Sequence, residues 1–262
     1  NYFIQGLDQS LLNHFWSLAI EQQIYLVYPL IVFVALRFVP ANRRRLTIGL
    51  FAVVVIAISG WWSVAQTASD ATSAYYSPWT RVWEIALGCL VALIPSGFAQ
   101  RTPKPLVVIL GSLGMIAILT SALWLDSTKP YPGALAWWPA LGVAILLWAN
   151  ERQVRFGPTS WLGIRPLRYI GDRSYALYLW HYIWLMLPMQ LVTPLGPEWL
   201  PVQLVGAFAC AILSHRFIEL PFMKSERFKR DGLAALLILL ISVAMVWNAT
   251  LIIDQLVLRA TL

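Results

Sequence analysis

Long apolar segments alternate with short connections along almost the whole chain, and this pattern restricts the fold more than any other feature. Eight such segments can be recognised, at about residues 16–39, 46–66, 79–95, 105–125, 136–149, 170–192, 200–220 and 232–253. A helix needs roughly 20 residues to cross the hydrocarbon core of a bilayer, so most of these segments are long enough to span a membrane. Only 12% of the residues are charged, against about 25% in an average soluble domain. The sequence therefore predicts an all-α, polytopic transmembrane helical bundle with about eight spans.

Basic residues are concentrated in every second connection between these segments. All but three of the 19 Lys and Arg residues lie in or next to those connections, the exceptions being Arg81, Lys129 and Arg259. Because cytoplasmic loops carry the excess of Lys and Arg, this side is predicted to be cytoplasmic, which puts both Asn1 and Leu262 outside. The net charge of +7 then reflects topology, and the clustered basic face of a nucleic-acid-binding domain is not seen. The chain is thus expected to be a multi-pass protein of the cytoplasmic membrane.

Several kinds of site are excluded because their motifs do not occur in the sequence. Cys89 and Cys210 both lie inside apolar segments, where small core residues are the favoured interpretation. The sequence has neither a pair of cysteines at zinc spacing nor a His-Glu-x-x-His motif, so no metal is expected. Phosphate-binding Gly-rich loops, dinucleotide fingerprints and Gly-x-Ser-x-Gly elbows are also absent from it.

Two ionisable residues belong to the first apolar segment and its outer boundary. Glu21 lies inside the segment, where a charged side chain costs roughly 2.5–3.5 kcal/mol on insertion scales. His14 lies seven positions earlier, a spacing that predicts the same side of a helix. One interpretation is an interfacial His and a Glu that pairs with a basic residue for assembly. The other is a polar cavity open to the outer face, in which Glu21 orients or charges a catalytic group.

Arg81 and Glu84 form a second polar pair, near the outer end of the third segment. They are three positions apart and therefore share one helical face. They could form an internal ion pair with a purely structural role. Alternatively, Arg81 could contact an anionic group of a substrate.

Three polar residues share one face of the sixth segment. Ser174, Tyr178 and His181 are spaced by four and then three positions, which stacks them along a helix. His181 lies near the middle of the segment. A neutral imidazole there can be satisfied by a neighbouring hydroxyl, but an ionisable residue inside a span is also a candidate for a functional site.

Two further polar groups lie on the predicted cytoplasmic side. His215, Arg216 and Glu219 end the seventh segment, where Arg216 and Glu219 have the spacing of an i, i+3 pair. Capping of the helix end and anchoring of the topology are the favoured roles. The basic connection 151–168 is typical of contact with anionic lipids, with the phosphates of a cytoplasmic cofactor as the alternative.

Four stretches hold most of these polar residues: NHFWSLAIEQQIYLVYP at 13–29, RVWEIALG at 81–88, SYALYLWH at 174–181 and FIELPF at 217–222. They resemble, in the same order, the H-x-W-S-L-x-x-E-x-Q-x-Y, R-x-x-E-x-x-x-G, S-Y-x-x-Y-L-x-H and I-E-x-P-F signatures of the acyltransferase 3 family. These are membrane enzymes that O-acetylate lipopolysaccharide O-antigens and other surface glycans.

The resemblance implies a ten-helix fold, with an eleventh helix in members that carry a C-terminal extracytoplasmic SGNH-type domain. The eight segments would be the fourth to eleventh helices. Residues 1–231 are then expected to be the C-terminal part of the transmembrane domain, and 232–262 a further helix leading to an extracytoplasmic region. About three helices would precede Asn1, in agreement with the odd number that the sidedness requires. The proposed catalytic His of the family, with a basic residue eleven positions before it, would lie on the first of them.

The activity that the resemblance implies is transfer of an acyl group, expected to be acetyl, from cytoplasmic acetyl-CoA to a hydroxyl of an extracytoplasmic or lipid-linked glycan. The lipid bilayer, the glycan acceptor and acyl-CoA are the expected partners, with an SGNH-type domain possible in the same protein. The candidate catalytic residues are Glu21, His181 and His14; the candidate substrate-binding residues are Trp16, Ser17, Arg81, Glu84, Ser174 and Tyr178; the candidate CoA-binding residues are Arg155, Arg165 and Arg168.

Two other functional classes fit part of the pattern. Intramembrane His and Glu residues suit the proton relay of a coupled transporter, which would move substrate without consuming acyl-CoA. That class often shows hydropathy symmetry between its halves, and none is evident in this sequence. A structural subunit of a glycan-assembly complex would tolerate loss of every polar group named above, provided that it still folded.

Overall fold

The computed structural model describes residues 14–126, 128–152, 154–186 and 196–225, and these residues form helices and turns with no strand among them. They divide into two compact units, one made of residues 14–172 and the other of 173–186 and 196–225. The prediction of an all-helical membrane protein is confirmed. The predicted boundary between a domain at 1–231 and a further helix at 232–262 lies outside the described residues.

The first unit is built from long apolar helices joined by short helical turns. Its α-helices are α1 (Phe15–Arg37), α2 (Arg44–Ser69), α3 (Ala71–Tyr76), α4 (Val82–Ala92), α5 (Ser96–Arg101), α6 (Lys104–Trp124), α7 (Trp137–Asn150), α8 (Pro158–Leu162) and α9 (Arg165–Gly171). Short 3₁₀ turns precede three of them, at Ala41–Arg43, Pro78–Thr80 and Gly133–Ala136. Asp70 separates α2 from α3, and its carboxylate accepts the backbone N–H groups of Thr72 and Ser73 at 3.0 and 3.1 Å.

Five helical stretches of the described residues are long and apolar enough to cross a membrane, at Phe15–Val34, Ala41–Ser69, Lys104–Trp124, Gly133–Asn150 and Pro197–Lys224. The predicted span at 79–95 is shorter than expected, because the eleven residues of α4 rise only about 16 Å against a core of about 30 Å. The segment predicted at 170–192 is helical from Ser174 to Met186 and then leaves the described residues. The segment predicted at 232–253 lies outside them entirely. Eight complete spans are therefore not confirmed.

Small residues allow α6 and α7 to pack backbone against backbone. A Cβ atom at Gly114 would lie 2.7 Å from the carbonyl oxygen of Gly142, and a Cβ atom at Gly142 would lie equally close to that of Gly114. Helices in a membrane associate through such close contacts because lipid offers no hydrophobic drive between them. These two glycines therefore fix the distance between α6 and α7.

A buried tryptophan on α4 holds the start of that helix in place. Trp83 is fully buried and stacks on Trp137 with ring centroids 4.2 Å apart. Its indole N–H donates to the carbonyl of Thr80 at 3.0 Å, and its backbone N–H donates to the hydroxyl of Ser59 at 3.2 Å. Gly60 leaves room on α2 for the Trp137 ring. The residues on either side of Trp83 are therefore set on a rigid support.

Two arginines bind carbonyl groups that end other helices at the basic end of this unit. The Arg45 guanidinium donates to the carbonyl of Leu93, just after α4, with a distance of 3.1 Å from Nε. The Arg152 guanidinium donates to three carbonyls of α5 and the residue after it: Gln100 at 2.7 Å, Ala99 at 3.2 Å, and Thr102. The last carbonyls of a helix have no partner inside it, so these bonds stabilise the ends of α4 and α5.

The second unit pairs two helices, α10 (Ser174–Met186) and α11 (Leu200–Ser214). Trp180 of α10 donates its indole N–H to the Ser214 hydroxyl at 2.7 Å, and Trp184 packs against the position of Gly206. A π-helical turn at His215–Glu219 follows α11 and leads into α12 (Leu220–Lys224). A 3₁₀ turn at Pro197–Trp199 precedes α11.

Candidate active site and its relatives

A cavity of about 230 Å³ lies between the start of α1 and the start of α4, at the end of α4 opposite the one that Arg45 binds. We call it the Arg81 cavity. It is lined by Trp16, Ser17, Ile20, Glu21, Ile24, Arg81, Glu84 and Ile85. Five residues that the sequence singled out on two separate segments thus meet in one place, with three isoleucines forming the apolar part of the wall.

Arg81 and Glu84 form the polar end of this cavity. Nη1 of Arg81 lies 3.8 Å from Oε1 of Glu84, with the two side chains 18% and 32% exposed. Among the described residues, neither Nε of Arg81 nor Oε1 of Glu84 has a hydrogen-bond partner. Polar atoms that are shielded from solvent are nearly always hydrogen-bonded, so these two atoms are candidates for contact with a polar ligand or an ordered water.

Three aromatic rings surround the guanidinium of Arg81. Its carbon Cζ lies 5.7 Å from the ring centroid of Trp16, 5.1 Å from that of Tyr75 and 5.2 Å from that of Tyr131. The negative faces of such rings stabilise a cation, the more so where water is excluded. Arg81 is therefore held in one orientation by its neighbours.

Glu21 lies on the opposite wall of the cavity, in the second turn of α1. The hydroxyl of Tyr25, four positions later, donates a hydrogen bond to its carboxylate. Ser17, one turn earlier, also lines the cavity and donates to the carbonyl of His14 at 3.3 Å. The Glu21 carboxylate is thus oriented by its own helix and retains acceptor sites for a ligand hydroxyl.

His14 is not placed where the spacing predicted. Helix α1 begins at Phe15, so His14 lies in the turn before it and the helical periodicity that put it on the same side as Glu21 does not apply. Its ring is 3% exposed and lies 4.4 Å from the ring of Phe15. It is not among the side chains that line the Arg81 cavity.

The second unit contains the predicted group Ser174, Tyr178 and His181 on α10. The rings of Tyr178 and His181 have centroids 5.5 Å apart. Nδ1 of His181 lies 2.7 Å from the backbone carbonyl of Tyr178. A carbonyl can only accept, so Nδ1 donates, and the lone pair of a neutral ring is then on Nε2.

The pairing predicted at the end of the seventh segment is wrong, because Glu219 binds His215 instead of Arg216. Nδ1 of His215 lies 2.8 Å from Oε2 of Glu219, and both side chains are largely buried. The π-helical turn that contains them changes the register of side chains around the helix. Arg216 is exposed and lies over the ring of Phe217 at 5.9 Å.

The three arginines predicted to bind CoA are found in different settings in the first unit. Arg168, on α9, lines a cavity of about 800 Å³ together with Asn150, Thr159 and Ser160 and a set of apolar residues from α6, α7 and α8. The guanidinium of Arg155 lies over the ring of Phe156 at 5.6 Å. Arg165 begins α9 and is exposed. Only Arg168 of the three therefore lines this cavity.

Sequence patterns did not single out Tyr75 or Tyr131, whose rings contact Arg81. Tyr25, which donates to Glu21, is the last fixed residue of the signature that contains Glu21, but no role was predicted for it from the sequence. Tyr75 and Tyr131 lie outside the long spans. The sequence signal for them is weak: an aromatic side chain in a short polar connection. Among the described residues there is no group of three or more potential metal ligands.

The chain is similar to known proteins over most of its length. The family model described as "Acyltransferase domain" matches residues 3–216. Peptidoglycan O-acetyltransferase OatA of Listeria monocytogenes is 31% identical over 241 residues, 86% of this chain and 37% of that protein. O-acetyltransferase OatA of Staphylococcus aureus is 31% identical over 237 residues, 86% of this chain and 38% of that protein.

A third relative shows a similar degree of identity. The putative peptidoglycan O-acetyltransferase YrhL of Bacillus subtilis is 30% identical over 241 residues, 87% of this chain and 37% of that protein. The chain thus spans a little over a third of the length of these relatives. No solved structure matches it. The family match and the motifs gathered around the Arg81 cavity lead to one conclusion: the chain belongs to the acyltransferase 3 family.

Proposed function

We propose that this chain is part of a bacterial membrane O-acetyltransferase. The enzyme moves an acetyl group from acetyl-CoA, supplied from the cytoplasm, to a hydroxyl of a cell-wall glycan. Two of the relatives are named as peptidoglycan O-acetyltransferases, which favours peptidoglycan over an O-antigen as the acceptor. The basic end of the first unit would face the cytoplasm and the Arg81 cavity the outside.

One observation carries this proposal, the meeting of Glu21, Arg81 and Glu84 in a single cavity with unused hydrogen-bonding atoms. A charged side chain inside a membrane-spanning segment, such as Glu21 in α1, is costly and is usually kept for function. A purely structural ion pair would be expected to satisfy its own atoms. Among the described residues, Nε of Arg81 and Oε1 of Glu84 make no hydrogen bond, although Oε1 lies 3.8 Å from Nη1 of Arg81.

The reaction requires an acceptor hydroxyl to attack the thioester carbonyl carbon. A C–O bond forms, the C–S bond breaks, the hydroxyl proton passes to a base, and CoA leaves with its sulfur. In the proposed roles, Glu21 accepts a hydrogen bond from the acceptor hydroxyl and orients its oxygen. Arg81 donates to the carbonyl oxygen of the acetyl group as that oxygen gains negative charge. Nε2 of His181 is proposed, as a separate candidate on the second unit, to accept a proton.

The donor side is proposed to be the cavity that contains Arg168. Arg168 would pair with a phosphate of CoA, a contact for which a guanidinium is well suited. The hydroxyls of Thr159 and Ser160 would add hydrogen bonds beside it, and the apolar residues of α6 and α7 would contact less polar parts of the donor. Arg155 and Arg165 remain predictions for the same role.

Acetylation of a glycan by the full-length protein in lipid vesicles tests the proposal. Wild-type protein is supplied with acetyl-CoA and soluble peptidoglycan fragments, and both released CoA thiol and ester-bound acetyl are measured. We expect Glu21→Gln to lower the rate by at least about 100-fold, the usual range for loss of a positioned acid–base group. The matched control is Gln22→Ala, which changes an exposed residue of the same helix outside the signature and should leave the rate unaltered.

Two outcomes would contradict different parts of the proposal. Normal acetylation by both Glu21→Gln and His181→Gln, at normal expression, would show that the residue assignment is wrong. Movement of a glycan or another solute across the vesicle membrane without use of acetyl-CoA would show that the chain is a transporter instead.

A further inference from the structure

A second cavity of about 630 Å³ lies beside the Arg81 cavity and has no role in the reaction described above. We call it the Tyr131 cavity. It is lined by Ala71, Thr72, Tyr75, Leu125, Asp126, Lys129 and Tyr131. These residues come from α3 and from the connection between α6 and α7. The volume is within the range of about 300–1,000 Å³ that is usual for small-molecule sites.

The lining combines aromatic rings with hydroxyl-binding groups, as a sugar requires. The rings of Tyr75 and Tyr131 have centroids 6.3 Å apart and planes inclined by 59°. Such rings offer flat apolar surfaces for the C–H face of a pyranose, and their hydroxyls offer polar edges. Burial raises the pKa of Tyr131, assisted by the negative charge of Glu84 and opposed by the charge of Arg81. The phenol therefore keeps its proton and can donate.

Asp126 is held in position at the rim of this cavity. Its carboxylate accepts the Thr128 backbone N–H at 2.9 Å and the Thr128 hydroxyl at 2.5 Å, and it lies 2.9 Å from the ammonium of Lys129. A carboxylate has about four acceptor positions, so one remains for a sugar hydroxyl. Lys129 has three donors and can serve an acetamido or carboxylate oxygen of the same sugar.

Two residues connect the Tyr131 cavity to the Arg81 cavity. Tyr75 and Tyr131 line the first, and both rings contact the guanidinium of Arg81, which lines the second. The two cavities thus adjoin at the Arg81 guanidinium and these two rings, and neighbouring units of one glycan chain would have to span that separation.

We infer that the Tyr131 cavity is a subsite for a neighbouring hexopyranose unit of the acceptor glycan. This inference rests on the proposed function. The subsite binds a unit that is not acetylated itself and so presents the reacting hydroxyl at Glu21 and Arg81. It predicts selection of a polymer over a single sugar, because only a chain can occupy both cavities.

Filling the cavity tests the inference. Thr72 lines the cavity and is exposed, and Thr72→Trp would place an indole in the space where the sugar is expected. Ala68→Trp, at an exposed position of α2 that is not among the lining residues, is the matched control. The full-length protein in vesicles is given acetyl-CoA and soluble peptidoglycan oligosaccharides of two or more disaccharide units. The KM for the glycan, the KM for acetyl-CoA and kcat are measured.

We expect Thr72→Trp to raise the KM for the glycan by about tenfold or more, the equivalent of 1.4 kcal/mol. The KM for acetyl-CoA should not change, and kcat should stay within about twofold, because the reacting groups are untouched. A second variant, Asp126→Ala, should raise the same KM without filling the space. A rise in both KM values, or an equal rise in Ala68→Trp, would overturn the inference.

Direct binding separates this inference from the proposed function. The same oligosaccharides are titrated into each protein without acetyl-CoA, and the intrinsic fluorescence is followed. If the wild type acetylates the glycan and Thr72→Trp binds it equally well, the subsite is wrong and the function stands. If the wild type acetylates nothing but binds the glycan, and Thr72→Trp does not bind it, the function is wrong and the subsite stands. If the wild type does not bind the glycan, the subsite is wrong.

Discussion

Nη1 of Arg81 lies 3.8 Å from Oε1 of Glu84 at the point where helix α4 begins. Trp83, which lies between the two residues in the sequence, is fully buried against Trp137 and holds this part of α4 in place. Arg81 is also enclosed by the rings of Tyr75 and Tyr131, so its position is fixed on several sides. A side chain held in this way needs little reorganisation when a substrate binds, which is the condition for effective electrostatic stabilisation.

Replacing Arg81 by Lys should therefore impair the enzyme although the charge is kept. An ammonium cannot lie flat between aromatic rings or offer several donors in one plane. We expect Arg81→Lys to lower acetyl transfer in vesicles by about 100-fold, the lower end of the loss seen when one donor to a developing oxyanion is removed. Lys104→Gln, an exposed cation at the other end of the unit, is the control. Full activity in Arg81→Lys would show that charge alone suffices.

The contact between α6 and α7 should be sensitive to one added methyl group. Gly142→Ala would bring a Cβ atom within 2.7 Å of the Gly114 carbonyl oxygen and 3.1 Å of the Ala117 Cβ. Overpacking of this kind typically costs about 1–3 kcal/mol. We expect a lower midpoint of thermal aggregation in detergent for Gly142→Ala.

The matched control for that substitution is Gly88→Ala on α4. In the described part of the chain, and apart from the backbone of α4 itself, no atom lies within 4 Å of the Cβ position at Gly88. Alanine also favours a helix over glycine by about 0.5–1 kcal/mol. This variant should be as stable as the wild type or more so. Equal stability of Gly142→Ala and Gly88→Ala would mean that α6 and α7 are not in direct contact.

The hydrogen bond between His215 and Glu219 should stabilise the second unit. Glu219→Leu leaves the largely buried imidazole without its carboxylate partner, a loss of about 1–3 kcal/mol. Arg216→Gln, at the residue first predicted to pair with Glu219, should leave the unfolding midpoint unchanged. An equal decrease in both variants would show that Arg216 also pairs with Glu219. The double variant His215→Leu, Glu219→Leu should be less destabilised than the two single changes added together.

Acid should destabilise the connection after α6 over a defined range of pH. Hydrogen bonds from Thr128 and Lys129 lower the pKa of Asp126 to about 2. A carboxyl group with a lowered pKa adds stability that is fully present above its ordinary pKa and lost as the pH falls towards 2. The protection of this connection against hydrogen exchange, taken relative to the intrinsic exchange rate at each pH, should therefore fall between about pH 4 and pH 2 in the wild type. Asp126→Asn should lack that loss of protection, and an identical profile in both proteins would refute the assignment.

The sequence predicted the helices well because their apolar length is a local property. The segment predicted at 105–125 is found at Lys104–Trp124, a difference of one residue at each end. The third segment was predicted too long, because its first residues form the 3₁₀ turn Pro78–Thr80 and α4 starts only at Val82. Hydropathy alone does not distinguish an apolar turn from an apolar helix.

The candidate site was predicted only in part, because helical periodicity describes one element at a time. It placed Arg81 and Glu84 on one face of α4, and the structure shows them at one cavity. It could not show that this face meets Glu21, since that depends on how Trp83, Trp137 and Gly60 pack α4, α7 and α2 together. Periodicity also failed where the helix was absent or altered, at His14 before α1 and at Glu219 in the π-helical turn.

Arg45 and Arg152 each have a proposed role during membrane insertion and a second role in the folded protein. During insertion they would contribute to the positive charge that keeps their loops in the cytoplasm. After folding the same guanidinium groups bind the carbonyls at the ends of α4 and α5. A lysine at either position would preserve the first contribution and weaken the second, since it lacks the planar set of donors. Orientation in the membrane and stability of the folded unit are therefore separable properties of a single side chain.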